Sequence, residues 1–143
     1  MRLFLNSLII SFATIIAAII TFSSCKKTSS NAKTSKVITA GTWRITSFLD
    51  SGNDRTSRFS GYNFDFKSKG ELTASNGSNS IIGTWKNVIE DSKEKLIFEM
   101  GTTSPFNQLN EDWYIVEKTS TKIKLEDTSG GNGGADIVTF EKN

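Results

Sequence analysis

Tyr62, Phe64 and Phe66 alternate with Asn63, Asp65 and Lys67. In an extended chain successive side chains point to opposite faces, so this period-two pattern makes a strand with one apolar side. The pattern recurs along the chain. Leu72 and Ala74 resume it after a turn at Lys69-Gly70, and Ile81, Gly83 and Trp85 share a face, as do Leu96, Phe98 and Met100. Trp113 with Ile115, Ile123 with Leu125, and Val138 with Phe140 complete it, and Trp43-Arg44-Ile45 opens it. Eight strands are therefore expected. Ser68–Gly70, Ser75–Asn79 and Lys118–Thr121 read as hairpin turns, and Gly130–Gly134 as a looser connection. Between Gly101 and Asn110, Ser104 is placed to cap one helical turn with Pro105 at its first position and Phe106 and Leu109 inward. The expected fold is all-β: an eight-stranded, up-and-down antiparallel barrel with one short helical turn near 104–109. A seven-stranded sandwich has similar spacing. The plain meander favours the barrel, whose closure removes exposed edges.

With one cysteine the fold has no disulfide and must rest on its core. Residues 26–36 hold four lysines, no acid and no large apolar residue, so they are expected to be a flexible basic tether. The domain is expected over 37–143. From Val37 onward there are twelve Lys/Arg and fifteen Asp/Glu, a net of −3, although the whole chain carries +2. The basic excess thus lies outside the domain. A nucleic-acid binder needs a basic face on its folded part, so that class is set aside.

The chain contains no histidine. That removes the commonest general base, the Ser-His triads and most zinc and iron sites. Asp65, Glu71, Glu99 and Glu117 fall on polar sides of strands or beside turns, where a solvated outer face is the expectation. Asp50-Ser51-Gly52-Asn53-Asp54 is rich in oxygen but lacks the spacing and terminal Glu of a calcium loop, so it reads as a polar turn. No catalytic residue, metal site or cofactor is expected.

The N-terminus carries its own signal. Met1-Arg2 is followed by an almost wholly apolar run from Leu3 to Phe22, then Ser23-Ser24-Cys25 and Lys26-Lys27. A positive start, an apolar middle and small residues before a cut make a secretory signal over residues 1–24. Small residues before a lone cysteine resemble the lipobox of bacterial lipoproteins, with Phe22 where an aliphatic residue is usual. The resemblance implies that Cys25 becomes the lipid-bearing first residue and anchors the protein to the membrane. Lys26-Lys27 lacks the aspartate that retains lipoproteins in the inner membrane, which implies the outer membrane, with the domain facing the periplasm or the surface. An uncleaved membrane helix, or an ordinary cleaved signal with Cys25 as a free thiol, are the alternatives.

The domain also resembles a family. Gly41-Thr42-Trp43 at the first strand, Phe64-Asp65-Phe66 with Gly70, a second Gly83-Thr84-Trp85 and a later Trp113 resemble the lipocalin-like domain of bacterial lipoproteins, from about Ile38 to Lys142. In that family the tryptophan packs at the closed end of the barrel beneath a basic residue; Trp43 takes its position here. The resemblance implies binding or carriage of a small apolar or amphipathic ligand, lined by Trp43, Phe64, Phe66, Trp85, Phe98 and Trp113. The second expectation is a structural or partner-binding lipoprotein with a filled barrel, since eight strands are just wide enough for either. A carbohydrate-active or inhibitor module is the third.

Overall fold

The computed structural model describes residues 25–128 and 134–143, with side chains from residue 31 onward. The signal segment 1–24 and the glycines at 130, 131 and 133 lie outside the described residues. In chain order the elements are α1 (Cys25–Ile38), β1 (Thr42–Asp50), β2 (Asn53–Asp54), a 3-10 turn (Thr56–Phe59), β3 (Asn63–Phe66), β4 (Glu71–Ser75), β5 (Ser80–Glu90), β6 (Lys93–Glu99), a second 3-10 turn (Phe106–Leu109), β7 (Asp112–Lys118), β8 (Lys122–Asp127) and β9 (Asp136–Lys142). The eight expected strands are β1 and β3 to β9. Each pairs antiparallel with its neighbour in sequence, and β9 returns to pair with β1, which closes the barrel. β2 extends the edge of β1 through a two-residue turn in which Ser51 and Gly52 both have positive φ.

Two bulges change which residues face inward. Between β1 and β9 the register shifts between Ile45 and Ser47, so Ile45 and Phe48 are both buried although their spacing is odd. Between β7 and β8 it shifts between Ile115 and Glu117. Val116 is left half-exposed, and Lys118 comes to lie opposite Ile123, on the inward face. Strict alternation from Trp113 would have put Lys118 outside.

The barrel has two ends. The turns at 67–70, 91–92 and 119–121 gather at one end with α1 and the final residues. The turn at 76–79, both 3-10 turns, the end of β8 and the start of β9 gather at the other. Phe59, Phe106 and Leu109 are buried at the far end, where Phe59 meets Phe106 edge-on at 5.9 Å. The second 3-10 turn stands where a helical turn is expected, but Pro105 precedes it as its cap and the Ser104 side chain does not cap it. Backbone bonds hold it instead, from Asn107 N–H to Thr103 O and from Gln108 N–H to Pro105 O, both 3.0 Å.

The basic segment after Cys25 is helical rather than a free tether. α1 presents Thr34 and Ile38, four residues apart on one face, and both are buried. Composition predicts a tether because residues 26–36 hold no large apolar residue; Val37 and Ile38 at the end of α1 and polar contacts to the barrel hold it instead.

Candidate functional site

The six aromatic residues expected to line a ligand site are all brought together. Trp43, Phe64, Phe66, Phe98 and Trp113 are at most 1% exposed and Trp85 is 5% exposed, all in one apolar cluster. In the interior, rings of this cluster pack on one another. Phe66 meets Trp85 and Phe140 edge-on, each at 5.7 Å, and Phe98 in a tilted contact at 5.8 Å; Phe64 meets Phe140 edge-on at 5.4 Å. These are the separations that aromatic pairs prefer. The indole N–H groups are used inside the protein: Trp85 donates to Lys67 O at 2.9 Å and Trp113 to Leu109 O at 2.9 Å.

The mouth beneath α1 is closed by a polar lock. Asn87 continues the inward face of Trp85 on β5, and Glu94 continues that of Leu96 on β6. The Asn87 side-chain amide donates to Asn31 O of α1 at 3.1 Å and to Glu94 Oε1 at 3.2 Å. Lys118, turned inward by the β7 bulge, pairs with Glu94 at 2.9 Å and donates to the hydroxyl of Thr34. Burial works against ionisation of Glu94. The hydrogen bonds from Lys118, Thr34 and Asn87, with the Lys118 charge, outweigh it and hold the carboxyl below its ordinary range. Trp43 completes the closure by donating from its indole to Ile38 O at 2.7 Å, and Lys142 stands over the Trp43 ring at 5.2 Å. Lys142 is thus the basic cover whose position along the sequence gave no clue. Asn87 and Glu94 were legible by parity with Trp85 and Leu96; Lys118 was hidden by the bulge.

Two grooves lie outside the barrel. One, of about 600 Å³, runs between α1, the β3–β4 turn and β5, and is lined by Ser35, Ser68, Lys69, Thr84, Lys86 and Asn87 with the edge of Trp85. The other, of about 340 Å³, is lined by Lys95, Glu111, Asp112, Tyr114 and Asp127 among others. There burial, then the charges of Asp127, Asp136 and Asp112, raise the Glu111 carboxyl above its usual range. Elsewhere Glu71, Glu99 and Glu117 are exposed, Asp65 pairs with Lys67, and Glu117 pairs with Lys122 at 3.0 Å. Among the described residues no cluster of metal-ligating side chains forms.

No protein-family model and no curated protein matches the sequence. A solved structure does: the crystal structure of a DUF4847 family protein from Bacteroides vulgatus superposes with a TM-score of 0.50 at 20% identity, over 77% of this chain and 97% of that one. At that identity the likeness shows the fold. That fold is a small closed antiparallel barrel, an arrangement that a lipocalin-like domain would fit.

Proposed function

We propose that this chain is a non-catalytic envelope lipoprotein, anchored through Cys25 to the outer membrane, whose barrel is filled and whose outer surface does the work. The observation that carries the filled-barrel part is the packing of Trp43, Phe64, Phe66, Trp85, Phe98 and Trp113 against one another at near-zero exposure. Their placement between the α1 lock at one mouth and the Phe59–Phe106 contact at the other supports it further. A ligand the size of a fatty acid would need several of these rings to leave positions worth about 1.5–3 kcal/mol each in buried area. The anchoring part is supported by the sequence around Cys25, and by the docking of the C-terminal half of α1 on the barrel, which ties the segment after Cys25 to the domain.

Two measurements test the reading. Titration of an apolar fluorescent probe into the protein should give no saturable binding and no quenching of Trp85 or Trp113; stoichiometric quenching would point to a carrier. Expressed in a diderm bacterium, the native chain should fractionate with membranes and incorporate labelled palmitate. Cys25→Ser should abolish the palmitate label; a label that persisted would refute the anchor.

A further inference from the structure

The groove beside α1 differs from the rest of the surface in its charge. No carboxylate lines it, whereas Lys69, Lys86, Ser35, Ser68 and Thr84 do. Lys69 and Lys86 are exposed and in no ion pair among the described residues, and Lys33 and Lys36 on α1 are likewise exposed and unpaired. Acidic residues do stand near this end: Asp91 is exposed in the β5–β6 turn, while Asp65, Glu90, Glu94, Glu117 and Glu141 are matched by Lys67, Lys95, Lys118, Lys122 and Arg44. Glu71 and Glu99, which flank Thr84 on the neighbouring strands, are the acids closest to the groove in register. The far end has the opposite balance. Asp54, Glu111 and Asp136 gather there with Asp50 and Asp112, of which Asp50 is matched by Arg55 at 3.9 Å and Asp112 by Lys95 at 3.6 Å; Arg58 is the other basic residue of its turns.

The barrel therefore carries a charge gradient along its axis, positive where α1 begins and negative away from it. From this we infer that the groove between α1 and the β3–β4 turn is a docking surface for the phosphate groups of an anionic bilayer, and that it stands the barrel upright on its helix end. Lys69 and Lys86 supply the cations, and the hydroxyls of Ser35, Ser68 and Thr84 supply neutral donors to the same phosphate. Each lysine held at such a surface adds about 1 kcal/mol of attraction, close to a fivefold gain in binding, and the attraction fades within about 10 Å in salt. The inference deepens the membrane-anchored reading. It can fail separately, because it concerns the barrel's own lysines and not the lipid on Cys25.

The test uses the chain from residue 25 onward with Cys25→Ser, which contains α1 and the whole barrel. Its co-sedimentation is measured with vesicles of phosphatidylcholine alone and with added phosphatidylglycerol. Binding is expected only with the anionic lipid, weakening as salt rises. Lys69→Gln with Lys86→Gln should reduce it about tenfold or more, for the loss of two lysines. Arg58→Gln with Lys124→Gln removes the same charge away from the groove and should reduce it less than threefold. Both pairs are at the surface, and matched melting temperatures will exclude misfolding. Equal losses from the two pairs would overturn the groove as the site, as would equal binding to both vesicle types. Full competition by millimolar inorganic phosphate would assign the groove to a free anion and overturn the bilayer as its occupant.

Discussion

The indole of Trp43 donates its hydrogen bond to the carbonyl of Ile38 at 2.7 Å, and so the first barrel strand grips the last residue of the helix below it. The glycine two residues before Trp43 is part of the same device. Gly41 has φ +120°, which side-chain-bearing residues rarely adopt, and the chain turns there from helix into strand. The Gly-x-Trp motif is in this protein a joint between α1 and the barrel. Trp43→Phe keeps a six-membered aromatic ring but removes the donor and the rest of the indole, leaving a buried carbonyl unpaired and a small gap. Urea unfolding should show a loss of about 1–3 kcal/mol. A change below a few tenths would mean that the bond does not hold the helix.

The second Gly-x-Trp has a different reason. A Cβ placed on Gly83 would lie 2.3 Å from Glu99 O and 2.7 Å from Met100 Sδ, so β5 and β6 can approach only because the side chain is missing. Gly83→Ala should destabilise by about 1–3 kcal/mol or more, as overpacking does. Thermal unfolding followed by tryptophan fluorescence checks this, and an unchanged midpoint would contradict it.

The two perturbed glutamates act on pH stability with opposite sign. Glu94 is held below its unfolded value near 4.5, so its contribution is present above that pH and is lost as pH falls through the lower folded value. Glu111 is raised above the same reference, so ionising it in the folded state opposes folding once pH exceeds that value. Glu94→Gln should therefore cost stability at pH 7, with the penalty shrinking on acidification. Glu111→Gln should stabilise at pH 7, and that gain should vanish at acid pH. Stability curves from pH 3 to 8 for both variants test the signs; Glu111 is exposed, so its gain should be the smaller effect.

Asp91 and Ser92 join β5 to β6 through a two-residue turn with φ of 48° and 64°, the geometry that favours Asn-Gly. Asp91 suits the first of these positions, but Ser92 does not adopt the second freely, at a cost of about 1–2 kcal/mol. Ser92→Gly should raise stability by up to about 1 kcal/mol in chemical denaturation, with no change in the anionic-vesicle binding proposed for the groove. A destabilised variant would show that Ser92 makes a contact worth more than the strain.

Strand parity made most of the fold readable. The alternation of Phe64 and Phe66, or of Leu96 and Phe98, survives into the structure because one face is packed and the other is wet. Where the chain breaks parity, the reading stops. The bulge near Val116 turns Lys118 inward, and the one between Ile45 and Ser47 brings Phe48 into the core; an extra residue in one strand leaves no mark in composition. The helix was missed for a related reason. Its docked face relies on Thr34, the Asn31 carbonyl and Ile38; Ile38 is held by nearby Trp43, but the partners of Asn31 and Thr34 lie 56 and 84 positions away. The six expected rings are all buried, with Phe48, Phe59, Phe106 and Phe140 beside them, but a list of inward rings is the same for a lined cavity and a filled core. Only their mutual packing separates the two.

The most direct measurement is native mass spectrometry of the chain from residue 25 with Cys25→Ser, purified gently from the compartment where it folds. A filled barrel predicts the mass of the polypeptide alone under several purification conditions. A reproducible extra mass that leaves on denaturation would contradict it, and would mean that Trp43, Trp85 and Trp113 move apart to hold a molecule.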